Sequence, residues 1–152
     1  IHVSGEGDWG EVEAVRDALQ GAEKSRYRAH AYLHEEMVDA MAAADLVVCR
    51  SGASSLGELP ALGLPAILSP YPYAWRYQRV NADFLAARGA AMVLEDGALA
   101  DPDRGLAALA IQLLDDAPAL DAMRLASRRL ARLDGADNIA VLLAKAAERI
   151  HD

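Results

Sequence analysis

The sequence predicts an α/β fold: a Rossmann-like parallel sheet with helices on both faces, followed by additional C-terminal helices. Three observations predict it. Short apolar runs alternate with stretches of helical periodicity. No two-residue turn signature joins consecutive apolar runs into a hairpin. Glycine follows several helical stretches, as a left-handed helix end favours. Strands that alternate with helices form parallel sheets, and right-handed crossovers put all strand C-terminal ends on one edge.

Taken in order, residues 1–3 open as a strand and 6–8 form a turn. Residues 9–19 carry Val12, Val15 and Leu19 on one helical face, with Gly21 after them. Residues 28–33 are a strand candidate and 35–44 a helix. The run Leu46-Val47-Val48-Cys49 is compact and apolar, which predicts a strand covered on both faces. A loop of small residues, 50–55, leads into a short helix over 56–62 that Gly63 stops. Residues 65–68 form the next strand, and 69–75 a loop stiffened by Pro70 and Pro72. A helix over 76–87 closes at Gly89, and 91–94 is a strand. After the polar connection 95–103, helices are expected over 104–115, 119–133 and 136–150. The last has Ile139, Leu142, Leu143 and Ala146 at helical spacing. Packing on the sheet is the expected use of that stripe, and crossing to a partner domain the alternative. No repeat, low-complexity tract or linker divides the 152 residues, a length that fits one domain with a core.

Composition narrows the function classes. The net charge is -8 and the pI near 4.9, which argues against nucleic acid or anionic membrane as a partner. One cysteine, Cys49, excludes an intrachain disulfide. No apolar run reaches the roughly 18 residues of a membrane span, and a soluble, cytoplasmic domain is expected. The first residue, Ile1, enters a strand directly, so the chain reads as a piece of a longer protein.

The densest chemical signal is Cys49-Arg50-Ser51-Gly52-Ala53-Ser54-Ser55-Leu56-Gly57-Glu58-Leu59. Small residues between a strand and a helix let backbone amides approach an anion, and the helix N-terminus adds free N–H groups and partial positive charge. Such a phosphate cradle needs neither lysine nor metal. Ser55-x-x-Glu58 is equally a capping box, in which Glu58 only satisfies a backbone donor, and Gly52 equally serves a tight turn. In the second segment, Gln78 opens a helix after the proline-stiffened loop, on the same sheet edge, so Gln78 and Glu58 are candidates to face one polar ligand. Taken singly, Gln78 reads as a solvated residue and Asn81 as a local hydrogen-bonder.

Arg50-Ser51-Gly52-Ala53, Glu58-Leu59, Gly63-Leu64-Pro65-Ala66, Pro70-Tyr71-Pro72, Gln78, Asn81-Ala82 and Gly89-Ala90-Ala91 together resemble the donor-site signature of MurG-type glycosyltransferases. The similarity runs from about residue 1 to 96 and is firmest from Met37 onward. It implies the C-terminal half of a GT-B glycosyltransferase. The donor would be UDP-N-acetylglucosamine, with no cofactor or metal. The acceptor would be undecaprenyl-pyrophosphoryl-muramyl-pentapeptide (lipid I), bound through an N-terminal domain that this sequence lacks, as it lacks a preceding glycine-rich loop. The family works on the cytoplasmic face of the cell membrane, but the resemblance implies no direct membrane contact for this piece.

The resemblance also implies roles. Glu58 grips the ribose hydroxyls. Gly52, Ala53, Ser54 and Ser55 supply backbone or hydroxyl donors to the diphosphate. His34 falls where the family reads the uracil edge, and Tyr77 and Gln78 meet the sugar hydroxyls. Arg50 and Asn81 support the loops. Two departures stand out: Tyr77 replaces the usual His or Gln, and Pro60 lies within the short helix, where proline removes a donor and kinks the chain. No general base is apparent; His2, His30 and His151 read as surface or structural residues. Rival readings are another GT-B glycosyltransferase, a nucleotide-sugar hydrolase or epimerase half, and a non-catalytic UDP-sugar-binding subunit that needs a partner chain.

Overall fold

The computed structural model describes residues 1–73 and 76–148. The chain forms two compact units, Ile1–Ala43 and Ala44–Asp152.

In the first unit, strand β1 (His2–Val3) is followed by helices α1 (Trp9–Ala18) and α2 (Gly21–Arg26), strand β2 (Ala29–His30) and helix α3 (Glu36–Ala42). β1 and β2 run parallel, with His2 opposite Ala29 and Val3 opposite His30. His2 Nδ1 lies 2.6 Å from the Tyr27 hydroxyl, a structural contact. Helix α2 was not expected. Its sequence, Gly-Ala-Glu-Lys-Ser-Arg, has no apolar face and no buried residue, so periodicity carries no trace of it. Gly21 opens this helix, at φ 54°, where the sequence suggested only the end of the preceding one.

The second unit contains strand β3 (Val47–Cys49), helix α4 (Ser55–Leu62), strand β4 (Ala66–Leu68), helix α5 (Tyr77–Ala86) and strand β5 (Ala91–Val93). After a 3₁₀ turn at Asp96–Ala98 come α6 (Leu106–Asp115), α7 (Ala117–Arg128) and α8 (Gly135–Glu148). The strands pair in the order β3-β4-β5, all parallel. All three residues of the central strand are buried: Ala66, Ile67 and Leu68 are at most 1% exposed. Their side chains alternate between faces, so both faces of β4 are covered. On one face Ile67 packs with Leu94, Leu113, Leu120 and Met123, the last three from α6 and α7. Burial of a side chain of this size stabilises the fold by about 1.5–3 kcal/mol.

β3 departs from expectation. Val48, Ile67 and Met92 form one cross-strand row and therefore share a face. The centre of the row is sealed, but Val48 and Met92 are 42% and 41% exposed. The helices on that face cover its midline and leave its flanks open, so β3 is not enclosed on both sides.

Helix α4 runs unbroken through the buried Pro60. It ends at Gly63, whose φ of 62° lets Leu64 N–H reach Leu59 C=O at 2.9 Å and Gly63 N–H reach Pro60 C=O at 3.0 Å. The buried Ser127 hydroxyl of α7 donates to the Leu59 and Leu64 carbonyls, at 3.2 and 3.4 Å. α7 itself starts at Asp116, whose carboxylate accepts from Ala119 N–H at 3.0 Å.

α8 differs from the expected packing on the sheet. Ile139, Val141, Leu142 and Leu143 are all more than half exposed. The helix keeps its apolar residues, but no described element covers them. The end of the expected helix, and His151, lie outside the described residues. Among the described residues no helix is long and apolar enough to cross a membrane.

Candidate functional site

Parallel pairing brings the loops after β3, β4 and β5 to one edge of the second unit, where ligands of open α/β sheets bind. The first loop leads to the N-terminus of α4. Ser54 stands at its N-cap position with no side-chain cap. Ala53 and Ser54 are exposed and Gly52 is half-buried. Among the described residues the N–H groups of Gly52, Ala53 and Ser54 meet no acceptor, whereas those of Ser55, Leu56 and Gly57 bond back to Gly52, Ala53 and Ser54. Three consecutive N–H donors without an acceptor, at the positive end of a helix, are the kind of arrangement that suits an anion.

Glu58 lies in the first turn of α4 and is exposed. The capping-box alternative is not realised. Glu58 N–H bonds to the Ser54 carbonyl at 2.9 Å. The Ser55 hydroxyl donates to Gly52 C=O at 2.5 Å. The Glu58 carboxylate makes no hydrogen bond or ion pair among the described residues. Ser55 is 4% exposed, and both its N–H and its hydroxyl point to Gly52. Its donors are therefore spent on shaping the loop, whereas the N–H groups of Gly52, Ala53 and Ser54 keep no acceptor among the described residues.

The second loop and α5 supply Tyr77 and Gln78. Tyr77 is 74% exposed, at the first position of the helix. It follows Arg76, the one described non-glycine residue at positive φ, 61°. Gln78 is half-buried, and its Oε1 accepts from Tyr71 N–H at 2.8 Å. A backbone N–H can only donate, so the carboxamide oxygen must face it, and Gln78 retains its NH₂ donor for other partners.

The loops are cross-tied. Asn81 Nδ2 donates to Ser51 C=O at 3.0 Å, and Ser51 Oγ donates to Gln78 C=O at 2.7 Å. Arg50 Nη1 donates to Ser69 C=O and Oγ, both at 3.2 Å, and its guanidinium lies over the Tyr71 ring, 5.4 Å from the centroid. Arg50 also forms an ion pair with Asp96 at 2.5 Å. Asp96 Oδ1 is buried and makes no hydrogen bond of good geometry, so this ion pair is its compensation. Arg79 of α5 pairs with Asp83 and Glu95. The sequence motifs give Ser51, Ser69 and Asp96 no role of their own. Ser51 lay within the quoted motif, but its full burial, and hence its bonding, depends on α5 packing against the loop.

An open pocket of about 290 Å³ lies beside these loops, lined by residues that include Tyr71, Arg76, Arg79, Glu95 and Asp96. Neither the α4 N-terminus nor Glu58 lines it. Burial, and then the nearby Glu58 charge, push the Cys49 thiol up to about 11, so it is neutral at physiological pH. His34 belongs to the first unit. It is exposed, its ring sits 4.8 Å from that of Tyr32, and its carbonyl accepts from Met37 N–H at 3.2 Å. Among the described residues no three His, Cys, Asp or Glu side chains cluster to hold a metal.

Residues 1–139 match the glycosyltransferase family 28 C-terminal domain. Two proteins named UDP-N-acetylglucosamine--N-acetylmuramyl-(pentapeptide) pyrophosphoryl-undecaprenol N-acetylglucosamine transferase are similar. That of Roseiflexus sp. (strain RS-1) is 44% identical over 94% of this chain and 36% of its own length. That of Chlorobaculum parvum (strain DSM 263 / NCIMB 8327) is 46% identical over 78% of this chain and 32% of its own. The chain thus spans about a third of the length of these curated relatives. Among solved structures, Acinetobacter baumannii MurG matches 95% of this chain and 42% of its own, with TM-score 0.76 and 23% identity. The spinosyn forosaminyltransferase SpnP matches 84% of this chain and 32% of its own, with TM-score 0.58 and 20% identity. These two likenesses bear on the fold, which matches part of a GT-B glycosyltransferase, with parallel strands and eight α-helices among the described residues. By the match that spans most of its length, the chain belongs to the glycosyltransferase family 28 C-terminal domains.

Proposed function

We propose that this chain is the donor-binding domain of an inverting N-acetylglucosaminyltransferase of peptidoglycan synthesis. The full enzyme moves N-acetylglucosamine from UDP-N-acetylglucosamine to lipid I, giving lipid II. The observation that carries the reading is the uncapped, outward-facing start of α4, with an exposed and uncompensated carboxylate, Glu58, in its first turn. The names of relatives at 44–46% identity support the choice of donor and acceptor.

The diphosphate rests on the N–H groups of Gly52, Ala53 and Ser54, and Glu58 accepts hydrogen bonds from the ribose hydroxyls. Tyr77 and the Gln78 carboxamide donor reach the sugar. An acceptor hydroxyl attacks the anomeric carbon from the face opposite UDP. As the new glycosidic bond forms, the bond to UDP breaks and a base takes the hydroxyl proton. Negative charge grows on the departing diphosphate, and donors already aimed there stabilise it without reorganising. Among the described residues none is assigned as that base. Acceptor binding, the base and contact with the cytoplasmic face of the membrane belong to the remainder of the full-length protein.

Titration of UDP-N-acetylglucosamine against the wild-type chain and Glu58→Ala tests the reading. A hydrogen bond to a charged group contributes about 1.5–3 kcal/mol, so a loss of about 10- to 100-fold in affinity is expected. Equal affinity in both proteins removes Glu58 from the site. The wild-type chain is also expected to bind donor without turning over lipid I; measured transfer by this chain alone would overturn the division of labour.

A further inference from the structure

We infer that Ser51 is a positioning residue that couples the diphosphate-binding loop to the sugar-binding end of α5. The inference rests on the donor-site reading above and concerns how its two halves are held together. Ser51 is 0% exposed, so its hydroxyl has no water as an alternative partner. It donates to Gln78 C=O at 2.7 Å, while its own carbonyl accepts from Asn81 Nδ2 at 3.0 Å. The two bonds run in opposite directions between the same two segments. One comes from the loop to the first turn of the helix, and the other returns from the helix to the loop. Such a reciprocal pair fixes both spacing and rotation, where a single bond would leave a pivot.

The chemistry of the neighbours makes this coupling specific. Ser51 immediately precedes Gly52, the first of the three N–H donors that meet no acceptor among the described residues. Gln78 presents its carboxamide donor from the residue whose carbonyl Ser51 holds, and its oxygen is already fixed by Tyr71 N–H at 2.8 Å. A nucleoside diphosphate without the transferred sugar engages only the α4 end, through its diphosphate and ribose. A nucleotide sugar must engage both ends at once, and its sugar contacts depend on the distance that Ser51 sets.

The test compares wild type, Ser51→Ala, and Ser51→Thr, which retains the hydroxyl. Affinities for UDP and for UDP-N-acetylglucosamine are measured by calorimetry, with amide exchange followed over residues 51–56 and 77–81 without ligand. Expected for Ser51→Ala are a several-fold fall in UDP-N-acetylglucosamine affinity, UDP affinity changed by less than about twofold, and faster exchange in both segments together. Ser51→Thr should restore most of each effect. An equal loss for both ligands would mean general destabilisation and overturn the coupling, as would unchanged exchange over 77–81 in Ser51→Ala. If the wild type binds neither nucleotide, the donor-site reading fails, and the exchange measurements still decide whether Ser51 couples the two segments.

Discussion

At Gly63 the backbone turns left-handed immediately after α4, and an added Cβ would collide with the Arg128 side chain. Gly63→Ala therefore meets both a backbone and a steric penalty, and should destabilise the protein by about 1–3 kcal/mol in denaturant unfolding. Cys49 gives a prediction in pH. Its folded value is raised to about 11, above the ordinary thiol value of about 8.5. The folded state thus holds the proton more tightly. The associated stability is full below about pH 8.5 and is lost as pH rises towards 11. Alkylation by iodoacetamide under native conditions should be slow at pH 8 and should accelerate only well above pH 9; rapid labelling at pH 8 would contradict the raised value of this half-buried thiol. Single residues differed in how far the sequence revealed them. Gly63 announced itself, because few other residues end a helix that way. Ser51 did not, because nothing in a run of small residues says which hydroxyl is buried against a helix that starts about 25 positions later.

Elements follow the same logic of what leaves a periodic trace. α4, α5 and α6 each bury side chains and lie within two residues of their expected bounds, whereas α7, expected over 119–133, spans Ala117–Arg128 and stops five residues early. α2 buries nothing and was invisible. The apolar stripe of α8 was legible, but its destination was not, since spacing shows that a face is apolar and never what covers it. Because the described core lies among the strands and α4–α7, truncation before Gly135 should lower the melting temperature by no more than a few degrees. A large drop would show that α8 supports that core. Pro60 was expected to disturb its helix. It sits instead in an unbroken α4 whose last turn is held by Ser127 and closed by Gly63, so the missing N–H is tolerated where neighbouring bonds define the path.

Across the whole molecule, the parallel α/β pattern was readable because alternating periods of two kinds occupy almost the entire chain. The division at Ala43–Ala44 was not, since no glycine- or proline-rich linker marks it. The candidate site was legible as a set of residue types at one sheet edge. The bonds that tie its loops together were not, because each joins segments 7 to 46 positions apart. With a net charge of -8, this chain should remain in the supernatant when sedimented with vesicles rich in anionic lipid at low salt; co-sedimentation that salt reverses would reveal a basic surface that the charge balance hides. The enclosed central strand carries a lesson about change over generations. Ala66, Ile67 and Leu68 admit almost no alteration in size, because close-packed walls stand on either side. The segments that leave the strand ends are under no such confinement. New ligand preferences can therefore arise by rewriting the rim while the three-residue spine stays constant, and variation among descendants of this domain should concentrate accordingly.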